Sequence, residues 1–416
     1  MKILVLNAGS SSQKSCLYEI VGDGILEQPV EPLWEATIDW MGKSEVGLLK
    51  VKTSQGASIK IEIPVRERQH AIAQMLDTLK QGETQVISDL TEILLVGHRV
   101  VHGGQHYSQP TRITPEVKAA IKELGNLAPA HNPVNLEGIE AIEQTLPQVP
   151  QVAVFDTAFH SSIPPSAAVY PIPYELSEQG IRRYGFHGIS HEYVSRRAAY
   201  LLGKPNSLRL ITCHLGNGCS LAAIRDGICI NTTMGFTPLE GLMMGTRSGS
   251  IDPSILLYLL RQGYNTEQLD EMLNKQSGLK GVSGIGGDMR QISQAIAEGN
   301  DRAKLAFDIY IHRLRSHIGS MLAFLSGTDA LVFTAGVGEN HPLTRTATCE
   351  AFEFLGLKLD PNKNQASPKD ADIATSDSKI RVLVVQTQED WAIAQSCWHL
   401  VNRESGVGSR ESGEES

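Results

Sequence analysis

The 416-residue sequence predicts an α/β protein, and three observations carry that prediction. Short, continuously apolar runs alternate with segments whose apolar residues recur at helical spacing, the pattern of sheet strands covered by helices. An apolar run, a Gly-containing polar turn and a second apolar run at residues 3–20 return at residues 208–230, which suggests two related halves. The length fits roughly two to three domains of ~150 residues each.

Taken in order, residues 3–6 form the first expected strand, which runs into Asn7, Ala8 and Gly9, and a β-like run at 15–20 returns from that turn. Residues 67–80, 114–124 and 134–145 show helical spacing, separated by extended apolar runs at 93–96 and 152–155. The proline-rich stretch 161–174 excludes regular helix and central strand, so it is expected to connect domains, with a boundary near residue 155. Residues 208–213 and 221–224 then repeat the strand, Gly turn and strand, and Asp226-Gly227 marks a hairpin. Apolar positions 306, 307, 310, 311, 314, 318, 321, 322 and 325 place a long packed helix over 303–325. A strand at 331–334 feeds a third Gly turn, followed by a strand at 382–385 and a helix over 389–401. Residues 404–416 hold Val407 as their one large apolar residue and are expected to be a disordered tail.

Composition narrows the function classes. Asp and Glu number 46 against 37 Lys and Arg, a formal charge of −9 that disfavours nucleic acid or an anionic membrane as the main partner. The first apolar run is too short for a signal peptide and no run approaches the ~18 residues of a membrane span, so a cytoplasmic protein is expected. Six cysteines at 16, 213, 219, 229, 349 and 397 form no C-x-x-C pair, which offers neither a zinc knuckle nor a redox dithiol and leaves buried free thiols.

Three Gly-rich turns follow apolar runs, at residues 7–14, 214–220 and 336–340. Each can present backbone N–H groups to phosphate, or be an ordinary strand-ending turn. The first lacks the second Gly of a P-loop, and the third has His341 where a dinucleotide fingerprint needs Gly. His98, His102 and His106 recur every four residues, but Gly103 and Gly104 break any helix that would align them on a metal. Arg99, at the end of an apolar run, is a candidate anion ligand with a surface salt bridge as the alternative. Asp156 follows an apolar run at a strand end, where α/β sheets present catalytic groups, though a cap explains it equally. His187 and Arg247 sit in Gly-flanked segments suited to meeting a transferring phosphoryl group.

In order and spacing, the motifs NAGSSSQKS, GHRVVHGG, PAHNP, FDTAFH, RRYGFHG, HLGNGCS, MGFTPLEGLMMGTRSGSIDP, GGDMR and FTAGVGEN resemble the acetate kinase (acetokinase) family from residue 3 to about residue 400. The resemblance implies the superfamily of acetate and sugar kinases, heat-shock chaperone ATPases and actin. It also implies two ribonuclease-H-like domains, each with a βββαβαβα-type core, flanking a nucleotide cleft. Residues 1–155 with about 390–403 would form the N-terminal domain, and 156–389 the C-terminal one with the nucleotide-binding loops. The implied reaction is reversible, Mg2+-dependent, direct phosphoryl transfer between ATP and acetate, giving acetyl phosphate and ADP, with Mn2+ as a substitute ion and a homodimer as the assembly.

Carried over by motif, Asn7 and Glu389 place the metal, while Ser10, Ser12 and Lys14 face the phosphates. His214, Leu215, Gly216, Asn217 and Gly218 hold the phosphate chain. Asp288, Met289 and Arg290, with Gly336, Val337, Gly338, Glu339 and Asn340, hold the nucleoside. Arg99 and Arg247 grip the acetate carboxylate and the phosphoryl group, His187 and Arg247 stabilise the transition state, and His131 joins the polar cluster. Asp156 is the implied essential carboxylate. A carboxylate acceptor with a pKa of ~4 is already anionic, so Asp156 is expected to orient groups or tune charge rather than remove a proton. Val101, Phe186 and Pro238 form the implied acyl pocket. Ala130 stands before His131 where some relatives carry a larger apolar residue, and one methylene changes binding by only ~1–3 kcal/mol, so propionate is a possible substrate. Propionate or butyrate kinase is the near alternative. A nucleotide-gated chaperone or filament ATPase is the distant one, for which the sequence offers no added peptide-binding module.

Overall fold

Strand β1 (Lys2–Ala8) is continuously apolar because both faces of it are covered, and Ile3, Leu4, Val5 and Leu6 are almost wholly inaccessible. In the computed structural model, which describes residues 1–9, 12–21, 28–40, 46–65, 67–204 and 207–404, the chain forms two units: Met1–Ala158 with Gln388–Ser416, and Phe159–Thr387. The tail expected at 404–416 lies, beyond Glu404, outside the described residues.

The first unit is built on β1, β2 (Ser12–Glu19), β3 (Trp34–Asp39), β4 (Val46–Thr53), β5 (Ser58–Pro64), β6 (Ile93–Val100), β7 (Thr111–Arg112) and β8 (Gln151–Phe155). They lie side by side in the order β5-β4-β3-β2-β1-β6-β8-β7. β2 runs antiparallel to both β1 and β3, whereas β1, β6 and β8 run parallel. Helix Arg68–Lys80 turns Ile72, Met75, Leu76 and Leu79 into a core with Leu4, Leu17, Trp34 and Leu49. Helix Glu389–Glu404 lies on β1 and β6 so closely that a Cβ on Gly97 would sit 2.6 Å from Cys397 Sγ, which is why glycine occupies the middle of β6.

The second unit repeats the arrangement with β9 (Arg209–Leu215), β10 (Cys219–Arg225), β11 (Ile228–Thr232), β12 (Ala330–Thr334), β13 (Ala371–Asp372) and β14 (Arg381–Val384), in the order β11-β10-β9-β12-β14-β13. Again three antiparallel strands are followed by two parallel ones, β12 and β14. The expected duplication is therefore present as a shared topology, and the expected long helix is Asp301–Leu325, capped by Asn300. All six cysteines are buried free thiols. No helix among the described residues is long and apolar enough to cross a membrane.

Several details differ from the sequence reading. The proline-rich segment belongs to the second unit and does contain helical turns, Pro165–Ala168 and Tyr174–Glu178, because its prolines sit at caps and first positions where no N–H is needed. With a boundary at residue 155, Asp156 would open the second unit; instead it packs in the first, its N–H bonded to Val100 O at 3.0 Å. The third Gly turn is a short helix, Ala335–Asn340, that leaves β12 through Ala335 at φ 64°.

Candidate functional site

In the first unit the parallel strands β1, β6 and β8 bring Asn7, Arg99 and Asp156 together at their C-terminal ends. Arg99 donates from Nε to Asp156 Oδ1 at 3.1 Å and from Nη2 to Asp156 Oδ2 at 2.5 Å, with Asp156 1% exposed. Its Nη1 donates to Asn7 Oδ1 at 3.2 Å, and the Asn7 amide donates to Asp390 Oδ1 at 3.1 Å. Asp390, in the first turn of the last helix, also takes Lys14 Nζ at 2.7 Å.

Three carboxylates, Asp156, Glu389 and Asp390, thus crowd two cations. Burial works against the charge on Arg99, but Asp156 and Glu389 outweigh it and raise its pKa. Burial pushes the Glu389 carboxyl above its ordinary range, and Asp156 and Asp390 push the same way against Arg99. Carboxylates crowded so that they resist ionisation gain most from a nearby divalent cation, which restores their charged, ligating form. The described residues include no cluster of three His, Cys, Asp or Glu side chains placed for a metal. Glu389 and Asn7 oxygens with water and phosphate completing the shell match the way Mg2+ is usually held, so these residues fit that ion.

The same unit fixes Val101 and His102 through two buried asparagines at the start of helix Asn132–Thr145, which His131 immediately precedes. Asn132 Oδ1 accepts from His102 N at 3.0 Å and its amide donates to His102 O at 3.1 Å. Asn135 Oδ1 accepts from Val101 N at 3.2 Å while its amide donates to Ala8 O at 3.1 Å. His98, His102 and His106 are not brought together on a helix face. His98 pairs with Gln151 at 2.7 Å inside the sheet, and burial pushes both His98 and His102 down to about 4.

In the second unit the β9–β10 turn is tight, with Gly216 N donating to Gly218 O at 3.1 Å. His187 caps helix Gly188–Leu201 from the left-handed region at φ 57°, and its ring stacks on His214 at 4.1 Å between centroids. Arg247 lies in the irregular segment before helix Ser254–Arg261 and donates from Nη1 to Pro238 O at 3.3 Å. The segment is tied to the turn by Gly245 N donating to Asn217 O at 3.1 Å, and a Cβ on Gly245 would strike Asn217 Oδ1 at 2.3 Å. Burial lowers the pKa of Arg247, and no carboxylate among the described residues pairs with it. A Cβ built on Gly218 would lie 3.4 Å from Arg247 Nη1 and 3.4 Å from His187 Nε2. Glycine therefore keeps clear a point that a guanidinium and an imidazole both face, and a buried cation of this kind gains most from an incoming anion. Phe186, beside His187, is buried, and its carbonyl accepts from His160 Nε2 at 2.9 Å.

A cavity of about 660 Å3 opens from the same turn. It is lined by Gly216, Asn217 and Thr246, by Gly287–Gln291, and by Gly336, Val337, Asn340 and His341, a volume in the range of small-molecule sites. Its Ala335–Asn340 wall is held from below by Arg345, which is completely buried and donates to Gly338 O at 2.8 Å, Glu339 O at 2.9 Å and Asn364 O at 2.7 Å.

The structure therefore gathers Asn7, Lys14, Arg99, Asp156 and Glu389 in one set, and His187, His214, Gly218 and Arg247 in another. Gly216, Asn217, Asp288, Met289, Arg290, Gly336, Val337 and Asn340 line the cavity, but Leu215, Gly338 and Glu339 do not. Leu215 is buried in β9, and the Glu339 carboxylate accepts from Ala335 N at 2.9 Å and Thr387 N at 2.8 Å. Ser12 opens β2, and Ser10 lies outside the described residues. Sequence reasoning missed Asp390, Asn132, Asn135 and His191. The acid pair at 389–390 was a readable signal for the first, and the four-residue spacing of His187 and His191 for the last.

A carboxylate-rich set with hard-cation donors in one unit, and in the other a buried guanidinium with no carboxylate partner among the described residues, beside a cavity of small-molecule size, suit phosphoryl transfer to a small acid. Sequence comparison agrees. The acetate kinase of Trichormus variabilis is 63% identical over 405 residues, covering 97% of this chain and all of that one. The acetate kinase of Rippkaea orientalis is equally similar. Among solved structures, Porphyromonas gingivalis acetate kinase superposes with a TM-score of 0.87 at 42% identity, covering 96% of this chain and 99% of the other. A propionate kinase from Francisella tularensis does so with a TM-score of 0.87 at 40% identity, with the same coverage. The sequence model of the acetokinase family matches residues 2–395, and the chain belongs to that family.

Proposed function

We propose that the chain catalyses reversible transfer of the γ-phosphoryl group of ATP to acetate, giving acetyl phosphate and ADP. The observation that carries this reading is Arg247, a buried guanidinium without a carboxylate partner among the described residues, facing with His187 the point above Gly218. In the forward direction an acetate oxygen attacks the γ-phosphorus, the bond to the bridging oxygen breaks and ADP departs with the electron pair. The nucleophile is already ionised, so the side chains bind, orient and neutralise charge rather than remove a proton. Arg247 and His187 contact the transferring group, and the cavity holds the nucleoside. Arg99, oriented by Asp156, binds anionic oxygen, while Val101 and His131 in the first unit and Phe186 and Pro238 in the second are the residues that the family resemblance implies for the acyl group. Glu389 and Asn7 would hold Mg2+, which supplies charge neutralisation at the phosphate oxygens.

The second reading, propionate as an additional substrate, is favoured by Ala130 before His131 and by likeness to the Francisella tularensis propionate kinase. We also assign a cytoplasmic homodimer. The six unbridged thiols suit a reducing compartment. Helix Ser254–Arg261 has no buried residue and exposes Ile255, Leu257, Tyr258 and Leu260, an apolar face for a second copy. The test traps acyl phosphate with hydroxylamine, offering acetate, propionate and butyrate separately with ATP and Mg2+. Acetate-dependent product, reduced about 10²–10³-fold in Arg247→Ala, supports the reading. ATP hydrolysis without acyl phosphate from any acid overturns it.

A further inference from the structure

His187 and His191 lie four residues apart, the first capping and the second inside helix Gly188–Leu201, and both reach one hydroxyl on β10. Ser220 Oγ is 2.9 Å from His187 Nδ1 and 2.7 Å from His191 Nε2. On its far side, His191 Nδ1 is 2.7 Å from Thr212 Oγ1 in β9. His191, Ser220 and Thr212 are all completely buried. We infer that Thr212, His191 and Ser220 act as a directional hydrogen-bond relay that fixes His187 as the Nε2–H tautomer, so that it donates towards the point Arg247 also faces.

The contacts allow two directions, and the requirement at the His187 end selects one. Burial and the neighbouring His160 and His214 rings hold His191 neutral, so it carries a single ring N–H. The 2.7 Å contact between His191 Nδ1 and Thr212 Oγ1 can be made with the proton on either atom, Ala222 O at 3.5 Å being the other acceptor for the Thr212 hydroxyl. In the assigned direction the Thr212 proton goes to His191 Nδ1, and the His191 N–H is on Nε2 and donates to Ser220 Oγ. The Ser220 proton in turn points to His187 Nδ1, which accepts, and a neutral His187 has its own proton on Nε2. The opposite direction would turn a lone pair towards an anion held by Arg247. His187 is also faced by the Arg247 guanidinium and the His214 ring. His191, Ser220 and Thr212 are positioning residues, and the value of the relay rests on the phosphotransferase reading above, because only an anionic group at that point needs a donor.

The test uses the full chain labelled with 15N-histidine, the His187 resonances being assigned by their loss in His187→Gln. The wild type is expected to show a protonated Nε2 and an unprotonated Nδ1. Ser220→Ala is expected to give a mixture of tautomers and a kcat about 10- to 100-fold lower, with KM for ATP and acetate little changed. Ser220→Thr, which keeps the hydroxyl, should restore both. Thr212→Val removes the first donor from outside the contact with His187 and should also mix the tautomers, which covers the case of a Ser220→Ala protein that does not fold. A wild-type His187 protonated on Nδ1, or tautomers unchanged in both variants, overturns the relay. A wild type that makes no acyl phosphate overturns the functional reading instead, and the nitrogen spectrum still decides the relay.

Discussion

Replacing Asp156 separates positioning from proton removal. The Arg99–Asp156 pair has two hydrogen bonds, at 3.1 and 2.5 Å, and both charges are largely out of water. At an effective dielectric of about 20, unit charges about 4 Å apart attract by about 4 kcal/mol. Removing one member of a buried pair costs about 3–5 kcal/mol because the other charge is left behind. Asp156→Ala abolishes both bonds, so acetate-dependent kcat/KM should fall by roughly two to four decades at about 1.4 kcal/mol per decade. Asp156→Asn keeps one acceptor oxygen for Arg99 and exchanges one charge-assisted bond, worth about 1.5–3 kcal/mol, for a loss of about 10- to 150-fold. The hydroxamate assay measures both variants, and thermal melts check that each is folded. Asn should therefore be clearly more active than Ala. If Asn is as inactive as Ala while melting like the wild type, the ionised carboxylate itself takes part in the reaction and the orienting role is wrong.

Other expectations follow from other groups. His98 is pushed from 6.5 down to about 4, so between those values the unfolded chain binds the extra proton and stability falls as pH drops. From about pH 7 to about pH 5 the wild type should lose about 2 kcal/mol more than His98→Gln in denaturant titrations, and equal losses would refute the assignment. Arg345→Met leaves the Gly338, Glu339 and Asn364 carbonyls without their donor and should destabilise by about 3 kcal/mol. Because that donor supports the cavity wall, KM for ATP should rise while KM for acetate holds; a rise in both would detach Arg345 from the cavity. Leu257→Glu with Tyr258→Glu places charge on the exposed face of helix Ser254–Arg261 and should sediment as a monomer, against the dimer proposed for the wild type. A variant that remains dimeric would move the interface elsewhere.

How far the sequence could be read depended on local pattern. β1, β8, β9 and β12 are each predominantly apolar and almost wholly buried, and the long helix Asp301–Leu325 keeps its spacing over many turns, so each was visible in isolation. β3, β4 and β5 were not, because their burial alternates and β5, at the sheet edge, exposes Lys60, Ile61 and Glu62. Strand ends gave Arg99 and Asp156 as candidates, but the pairing of Lys14 and Asn7 with Asp390 joins residues more than 370 positions apart and leaves no local mark. Glu339 is the opposite case: a motif implied it beside the nucleotide, and the fold adds that its carboxylate closes the turn from β12 and holds Thr387.

The duplicated core explains why one topology carries two chemistries. In the first copy, the hairpin β1–β2 pairs Asn7 with Lys14 at its turn end. In the second, β9–β10 pairs His214 with Ser220 at the corresponding end. The next parallel strand carries Arg99 near its end in β6, but Phe333 and Thr334 in β12. Backbone geometry is conserved between the copies because the sheet needs the same register for its apolar interior. The residues at the strand ends are released from that constraint, so charge can diverge there without cost to the core. The first copy has become rich in carboxylates and the second has kept a buried guanidinium among imidazoles. Exchanging the pattern, for example with Arg247→Glu, would leave a buried anion facing the point a phosphoryl group must occupy. That variant should lose activity at least as fully as Arg247→Ala while ATP still binds the cavity, and activity retained in Arg247→Glu would show that positive charge beside His187 is not what the second copy contributes.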